Sequence, residues 1–269
     1  MQKNIKFQNS KINYSITGSG SVVVLLHGFV EDLSIWNDLI SVLSKKYKTI
    51  AVDLPGHGQS ELFSKEVSID NMAEVVHEVL IAEKAEDIIL IGHSMGGYVT
   101  MAYADLFPEK IKGICLFHSS ALADTDAKKE DRLRAVEAVK KDHKDFTVSL
   151  VSKLFKDGNE QKFEKEAKLL KDIAKNTSSD SVIASIMAMR NRPDRSPTLS
   201  KLKAPVLFIW GKTDKALDFE TVFPQAKLPS VSQVLILEEA GHLGFIETKA
   251  ETFKTIENFA EFCTQEKMR

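Results

Sequence analysis

Gly92-His93-Ser94-Met95-Gly96 carries the spacing G-x-S-x-G, preceded by the apolar run 88–91 and followed by Val99, Met101, Ala102 and Leu106 at helical intervals. A serine between a strand and a helix sits on a sharp, strained turn that lifts its hydroxyl above the sheet edge, with small residues on either side to make room. The helix starting there aims free N–H groups and a favourable dipole at developing negative charge. This is the setting of a nucleophile.

A serine hydroxyl is a weak nucleophile at neutral pH, so it needs a base within hydrogen-bond reach and a third group to fix that base's tautomer. Of the seven histidines, His242 lies in Glu239-Ala240-Gly241-His242-Leu243, just after the final apolar strand pattern. Asp214, in Trp210-Gly211-Lys212-Thr213-Asp214, follows the preceding strand pattern directly, and Asp218 is its nearest competitor. Ser94 as nucleophile, His242 as base and Asp214 as orienting acid follow. The tetrahedral oxyanion also needs two N–H donors. The Met95 amide is one, and the Phe29 amide, in His27-Gly28-Phe29 after the run 22–26, is the other. His27 reads as structural, and the turn from Asp53 to Ser60 carries no assigned chemistry.

The elements that must position these residues are short strands alternating with helices. Strand patterns fall at 5–7, 12–16, 22–26, 49–53, 88–91, 113–117, 206–210 and 234–237. Long connections and continuous apolar runs predict an α/β fold with a mostly parallel eight-stranded sheet and helices on both faces. The stretch 34–45 and the positions Met72, Val75, Val76, Val79 and Leu80 each trace one apolar helix face. The rhythm breaks after Phe117 and resumes at Ala204-Pro205. Two apolar stripes lie between, one through Val148, Val151, Leu154 and Phe155 and one through Phe163, Ala167, Leu170 and Ala174. They predict an inserted helical region, 121–200, covering the carboxyl edge of a core made of 1–120 and 201–269. Arg190 and Arg192, where the insertion returns to the sheet, are candidate substrate-binding residues for an acidic or strongly polar ligand.

These segments resemble the capped α/β-hydrolase superfamily over nearly the whole chain outside the insertion: His27-Gly28-Phe29, Asp53 to Ser60, Gly92 to Gly97, Gly211 to Asp214 and Gly241-His242. The resemblance implies an eight-stranded sheet, a helical cap and an esterase-like triad at the positions just named. Haloalkane dehalogenases and epoxide hydrolases are similar but need a carboxylate nucleophile, which Ser94 is not. The meta-cleavage-product hydrolases often carry Trp after the catalytic histidine, where this chain has Leu243. The expected activity is hydrolysis of a small carboxylic ester through an acyl-enzyme. Lactones, thioesters, a carbon–carbon bond, or slow turnover by a ligand receptor are the alternatives on the same triad.

Composition narrows the field further. The 269 residues carry a formal net charge of −2 and are 43% hydrophobic, an ordinary globular balance without a basic field for nucleic acid. The most apolar run, 22–26, is far short of the ~20 residues of a membrane helix. The first residues lack the apolar stretch of a secretory signal, so a cytoplasmic location is expected. Cys115 and Cys263 read as buried thiols. With no C-x-x-C or H-E-x-x-H spacing, neither a metal nor a cofactor is expected. Nothing in the pattern fixes the oligomeric state.

Overall fold

The computed structural model describes residues 1–265; the last four residues of the expected core segment 201–269 lie outside the described residues. Eight strands, β1 (Gln2–Phe7), β2 (Ser10–Thr17), β3 (Val22–Leu26), β4 (Lys48–Val52), β5 (Ile88–His93), β6 (Ile111–Phe117), β7 (Val206–Gly211) and β8 (Ser232–Leu237), form one sheet. Its spatial order is β1-β2-β4-β3-β5-β6-β7-β8. The first two strands form a hairpin through Gln8 and Asn9, both at positive φ, as a tight two-residue turn requires. β2 meets β4 antiparallel, and every pairing from β4 to β8 is parallel. The sheet is therefore mostly parallel, as the alternation of strand and helix patterns predicted.

The helices are α1 (Asn37–Leu43), α2 (Ile69–Ala82), α3 (Met95–Leu106), α4 (Asp126–Lys141), α5 (His143–Leu154), α6 (Asn159–Lys162), α7 (Glu164–Asn176), α8 (Ser179–Asn191), α9 (Ser196–Lys201), α10 (Phe219–Val222), α11 (Gly244–Glu247) and α12 (Lys249–Gln265). Strand geometry sends successive side chains to opposite faces. Val22, Val24 and Leu26 accordingly pack with Val75, Val76 and Val99 from α2 and α3, whereas Val23 and Leu25 pack with Leu39 and Phe259 from α1 and α12. Ser68 starts α2 by accepting from Asn71 N–H (3.0 Å), and Asn71 Oδ1 accepts from Ser68 N–H in return. The helix expected at 34–45 begins instead as a 3-10 turn, Leu33–Trp36, because Asp32 caps the Ser34 amide at 2.9 Å and tightens the entry.

Helices α4 to α9 fill the chain between β6 and β7, with α5 packed on α7 and α4 on α8. Among them α4 is mostly charged and buries only Val136 and Val139. Cys115 and Cys263 are buried and form no disulfide. Among the described residues no helix is long and apolar enough to cross a membrane.

Candidate active site

The turn between β5 and α3 holds Ser94 at φ 51° and ψ −114°, a conformation that L-residues adopt only when their surroundings enforce it. The Ser94 amide donates to Phe117 C=O at 2.9 Å, and its own carbonyl accepts from Ser119 Oγ at 2.7 Å and from Gly97 N–H at 2.9 Å. Neighbouring backbone fills the space a side chain would need. A Cβ at Gly92 would stand 2.3 Å from Gly96 O, and one at Gly96 would stand 2.3 Å from Leu26 O. The two glycines of the motif are thus required by close backbone approach.

Loops after β7 and β8 bring the other two candidates together. His242 Nδ1–H donates to Asp214 Oδ2 at 2.6 Å, which leaves Nε2 as the basic nitrogen of the neutral ring. Asp214 Oδ1 accepts from the amides of Ala216 (2.8 Å) and Leu217 (3.1 Å), so the carboxylate is fixed by its own turn. Burial opposes ionisation of Asp214. Electrostatic attraction to His242 and the hydrogen bonds from His118 and His242 outweigh it and hold the carboxyl well below the ordinary range. The His242 amide donates to Leu154 C=O at 2.7 Å, tying its loop to the end of α5.

His118, at the end of β6, is the residue that sequence reasoning missed. Its Nδ1 lies 3.2 Å from Asp214 Oδ2, while the amides of Gly244 and Gly211 approach Nε2 (3.1 Å) and Nδ1 (3.2 Å). A neutral imidazole has one lone pair to offer. The carboxylate decides which: Nδ1 carries the proton and faces Asp214, and Nε2 accepts from Gly244. Burial pushes this ring down to about 4, so it is neutral at physiological pH. His118, Asp214 and His242 bring three possible ligand atoms within 4.8 Å of one another. Around a tetrahedral ion with bonds of about 2.1 Å, neighbouring ligand atoms stand about 3.4 Å apart. The 2.6 Å between His242 Nδ1 and Asp214 Oδ2 is too short for that arrangement and fits a hydrogen-bonded chain.

A second network lies beneath the first. Glu31 Oε2 accepts from Gly28 N–H (2.6 Å) and from His93 Nδ1 (2.9 Å), and His93 Nε2 donates to the carbonyl of His242 (2.9 Å). Burial alone would neutralise both groups. The charge of each partner prevails, lowering Glu31 and raising His93, so the pair is an ion pair. It links the Phe29 loop, the elbow and the His242 loop. The amides of Phe29 and Met95 have no acceptor among the described residues.

Ser94, His242, Phe29 and Tyr98 line one cavity of about 570 Å³. Phe146, Leu150 and Leu154 of α5 and Ile186 and Met189 of α8 form its apolar wall, and Lys128, Asp131, Arg132, Lys215 and Asp218 its charged part. Neither Arg190 nor Arg192 is among the lining residues. Arg192 is buried, donating to Met189 C=O (2.6 Å) and Leu122 C=O (2.9 Å), pairing with Asp124 (2.8 Å) and lying over the Tyr98 ring; Arg190 donates to Asn191 Oδ1 (3.0 Å). The arginine on the wall is Arg132. His27 holds structure, as its Nδ1–H donates to Gly28 C=O (2.8 Å) and its Nε2 accepts from Leu54 N–H (2.9 Å). Asp53 likewise accepts from the Leu33 and Gln59 amides and from Asn13 Nδ2.

A family model described as "alpha/beta hydrolase fold" matches residues 21–249. The chain belongs to that family. This α/β-hydrolase is 28% identical over 256 residues to a monoacylglycerol lipase, ABHD6, of Bos taurus, covering 88% of this chain and 74% of that protein. It is 29% identical to the pimeloyl-[acyl-carrier protein] methyl ester esterase of Wigglesworthia glossinidia brevipalpis, covering 87% and 91%. Among solved structures, a thermophilic esterase from Thermogutta terrifontis superposes with a TM-score of 0.90 at 24% identity, covering 98% of this chain and 99% of that one. An enol-lactonase from Burkholderia xenovorans superposes with a TM-score of 0.89 at 22% identity, covering 96% and 100%.

His118, Glu31 with His93, and the Arg132–Asp124–Arg192 group had no local signature in the sequence. Each is made by contacts between residues far apart in the chain, such as the 62 positions between Glu31 and His93. His93, adjacent to the serine in the motif, was the one available hint.

Proposed function

We propose that this α/β-hydrolase is a serine carboxylesterase acting on small esters through a covalent acyl-enzyme, with Ser94 as nucleophile, His242 as base and acid, and Asp214 as orienting carboxylate. The observation that carries the reading is the 2.6 Å bond to the ionised Asp214 from His242, which lines the same cavity as the strained Ser94. In the first half-reaction Ser94 Oγ attacks the carbonyl carbon while His242 Nε2 takes its proton. The Phe29 and Met95 amides donate to the resulting oxyanion, a charge no ground-state ester bears. His242 then protonates the departing alkoxide, the C–O bond breaks and the alcohol leaves. A water, deprotonated by His242, attacks the acyl carbon; the acid is released and Ser94 regains its proton.

Segment 121–200 serves in this reading as the cap. Its helices α5 and α8 supply the apolar wall against which an acyl or alkyl group packs, and a cavity of this size suits a small-molecule ester. Lactones are the second reading, favoured by the enol-lactonase among the structural neighbours, since the same carbonyl attack opens a ring. No cofactor enters the scheme.

The test is a hydrolysis screen across p-nitrophenyl esters from acetate to octanoate, methyl esters, thioesters and lactones, with Ser94→Ala as control. Turnover of oxygen esters that is lost in Ser94→Ala supports the reading. Turnover that survives the substitution, or that is confined to thioesters, overturns it.

A further inference from the structure

The charged residues of the cavity differ in how they are satisfied. Lys128 donates to Ala216 C=O (2.8 Å), Lys215 pairs with Asp157, Asp131 pairs with Arg134, and Asp218 accepts from the Thr221 amide (3.0 Å). Glu31 and His93 satisfy each other at 2.9 Å. Arg132 differs. Only its Nε is engaged, by Asp124 Oδ2 at 3.1 Å, and its two Nη groups have no acceptor among the described residues.

The support behind Arg132 is rigid and over-positive. Asp124 has a 1% exposed side chain and pairs through Oδ1 with Arg192, whose side chain is 5% exposed. Arg192 is in turn held by two backbone carbonyls and lies 3.7 Å above the centre of the Tyr98 ring. Burial works to raise Asp124, but Arg192 and Arg132 outweigh it and keep the carboxylate ionised. Two guanidinium groups therefore share one carboxylate, so the Asp124–Arg132–Arg192 group is net positive, and Arg132 is its member on the cavity wall. The remaining donors of Arg132 form the planar fork that receives a carboxylate in two parallel hydrogen bonds.

Resting on the proposed attack by Ser94, we infer that Arg132 is a specificity-determining residue that receives a carboxylate borne by the substrate in addition to its ester, making half-esters of short dicarboxylic acids the favoured class. The fork replaces the water lost by the anion, while the apolar wall from α5 and α8 covers the connecting methylenes. Asp124 and Arg192 act through Arg132, by fixing its Nε.

A binding measurement separates this inference from the esterase reading. Calorimetric titration of the Ser94→Ala protein with monomethyl adipate and with methyl hexanoate compares ligands of similar length that differ in the terminal carboxylate. Adding Arg132→Gln is expected to weaken monomethyl adipate by about tenfold or more while changing methyl hexanoate by less than about twofold. Arg132→Lys, which keeps the charge and loses the fork, is expected to fall between, and stands in if the Gln variant melts early. Equal losses for the two ligands, no loss for either, or no measurable binding of monomethyl adipate before Arg132 is changed would each overturn the inference. Hydrolysis of neutral esters by the unmodified protein tests the esterase reading independently of these titrations.

Discussion

His118 Nδ1 stands 3.2 Å from Asp214 Oδ2, the same oxygen that receives His242 Nδ1 at 2.6 Å. The shared oxygen makes His118 a second ring donor to the carboxylate and, under the proposed mechanism, a positioning residue for the acid.

Replacing His118 by Phe removes one of the donors to Asp214 and leaves the Ala216 and Leu217 amides in place. Under the proposed mechanism kcat falls by about ten- to hundredfold with KM changed by less than about threefold, the loss of one charge-assisted hydrogen bond. Steady-state kinetics on a p-nitrophenyl ester reads the split. A rise in KM with kcat intact would assign His118 to the pocket wall instead.

Asp214 and Asp218 are separated by the same measurement. Asp214→Asn keeps the shape while favouring the wrong His242 tautomer, and should lower kcat by up to ~10⁴-fold. Asp218 caps α10 through the Thr221 amide at 3.0 Å and has no hydrogen bond or ion pair with His242 among the described residues, so Asp218→Asn should be mild. The reverse ranking in folded proteins would reassign the acid.

His57 makes a prediction about acid stability. It is buried beside His27, and burial with that neighbour pushes it down to about 3 from the ordinary 6.5. The unfolded chain therefore binds a proton below about 6.5 that the folded chain refuses until about 3, so the stability His57 contributes at neutral pH is lost as pH falls through that window. Denaturant unfolding at pH 7 and pH 4 should show the unmodified protein losing about 3 kcal/mol more than His57→Gln. Parallel losses would mean that His57 takes up its proton without cost.

Gly241 ties the histidine loop to the insertion. A Cβ there would meet Leu154 O at 2.6 Å, Lys156 N at 2.6 Å and Phe155 C at 2.9 Å, all of them backbone. Gly241→Ala must push the end of α5 away from the loop whose His242 amide donates to Leu154 C=O. The expected cost is about 1–3 kcal/mol in stability together with a lower kcat, read by unfolding and by turnover on one sample. An unchanged melting temperature would show that the two segments separate freely.

Strands and the elbow were legible because each is written in neighbouring residues. The apolar run 22–26 coincides with β3, and the motif around Ser94 states its own backbone demands through Gly92 and Gly96. The strand ends at 234–237 and 113–117 were drawn short. β8 continues back to Ser232 through pairing with Val206 and Leu207 rather than through apolar side chains, and β6 continues back past the charged Lys112 to the buried Ile111, which pairs with Ile88. The charged helix α4 left little periodic signal because it buries only Val136 and Val139. The candidate substrate arginines were drawn from a local cluster. Burial and pairing with Asp124 took Arg192 out of the cavity, and Arg132, some sixty positions upstream at 132, lines it instead. No spacing rule links Arg192 to Asp124 and Arg132, as the packing of α4 against α8 brings it to them.

Under the proposed mechanism Ser94 becomes covalently modified during turnover with help from His242. Intact-mass measurement after reaction with a fluorophosphonate tests it most directly, followed by peptide mapping of the adduct. One adduct per chain located on Ser94, absent from Ser94→Ala and formed at least about a hundredfold more slowly by His242→Ala, is the predicted result. An adduct that persists in folded Ser94→Ala, or labelling of the intact protein at a different residue, would contradict it.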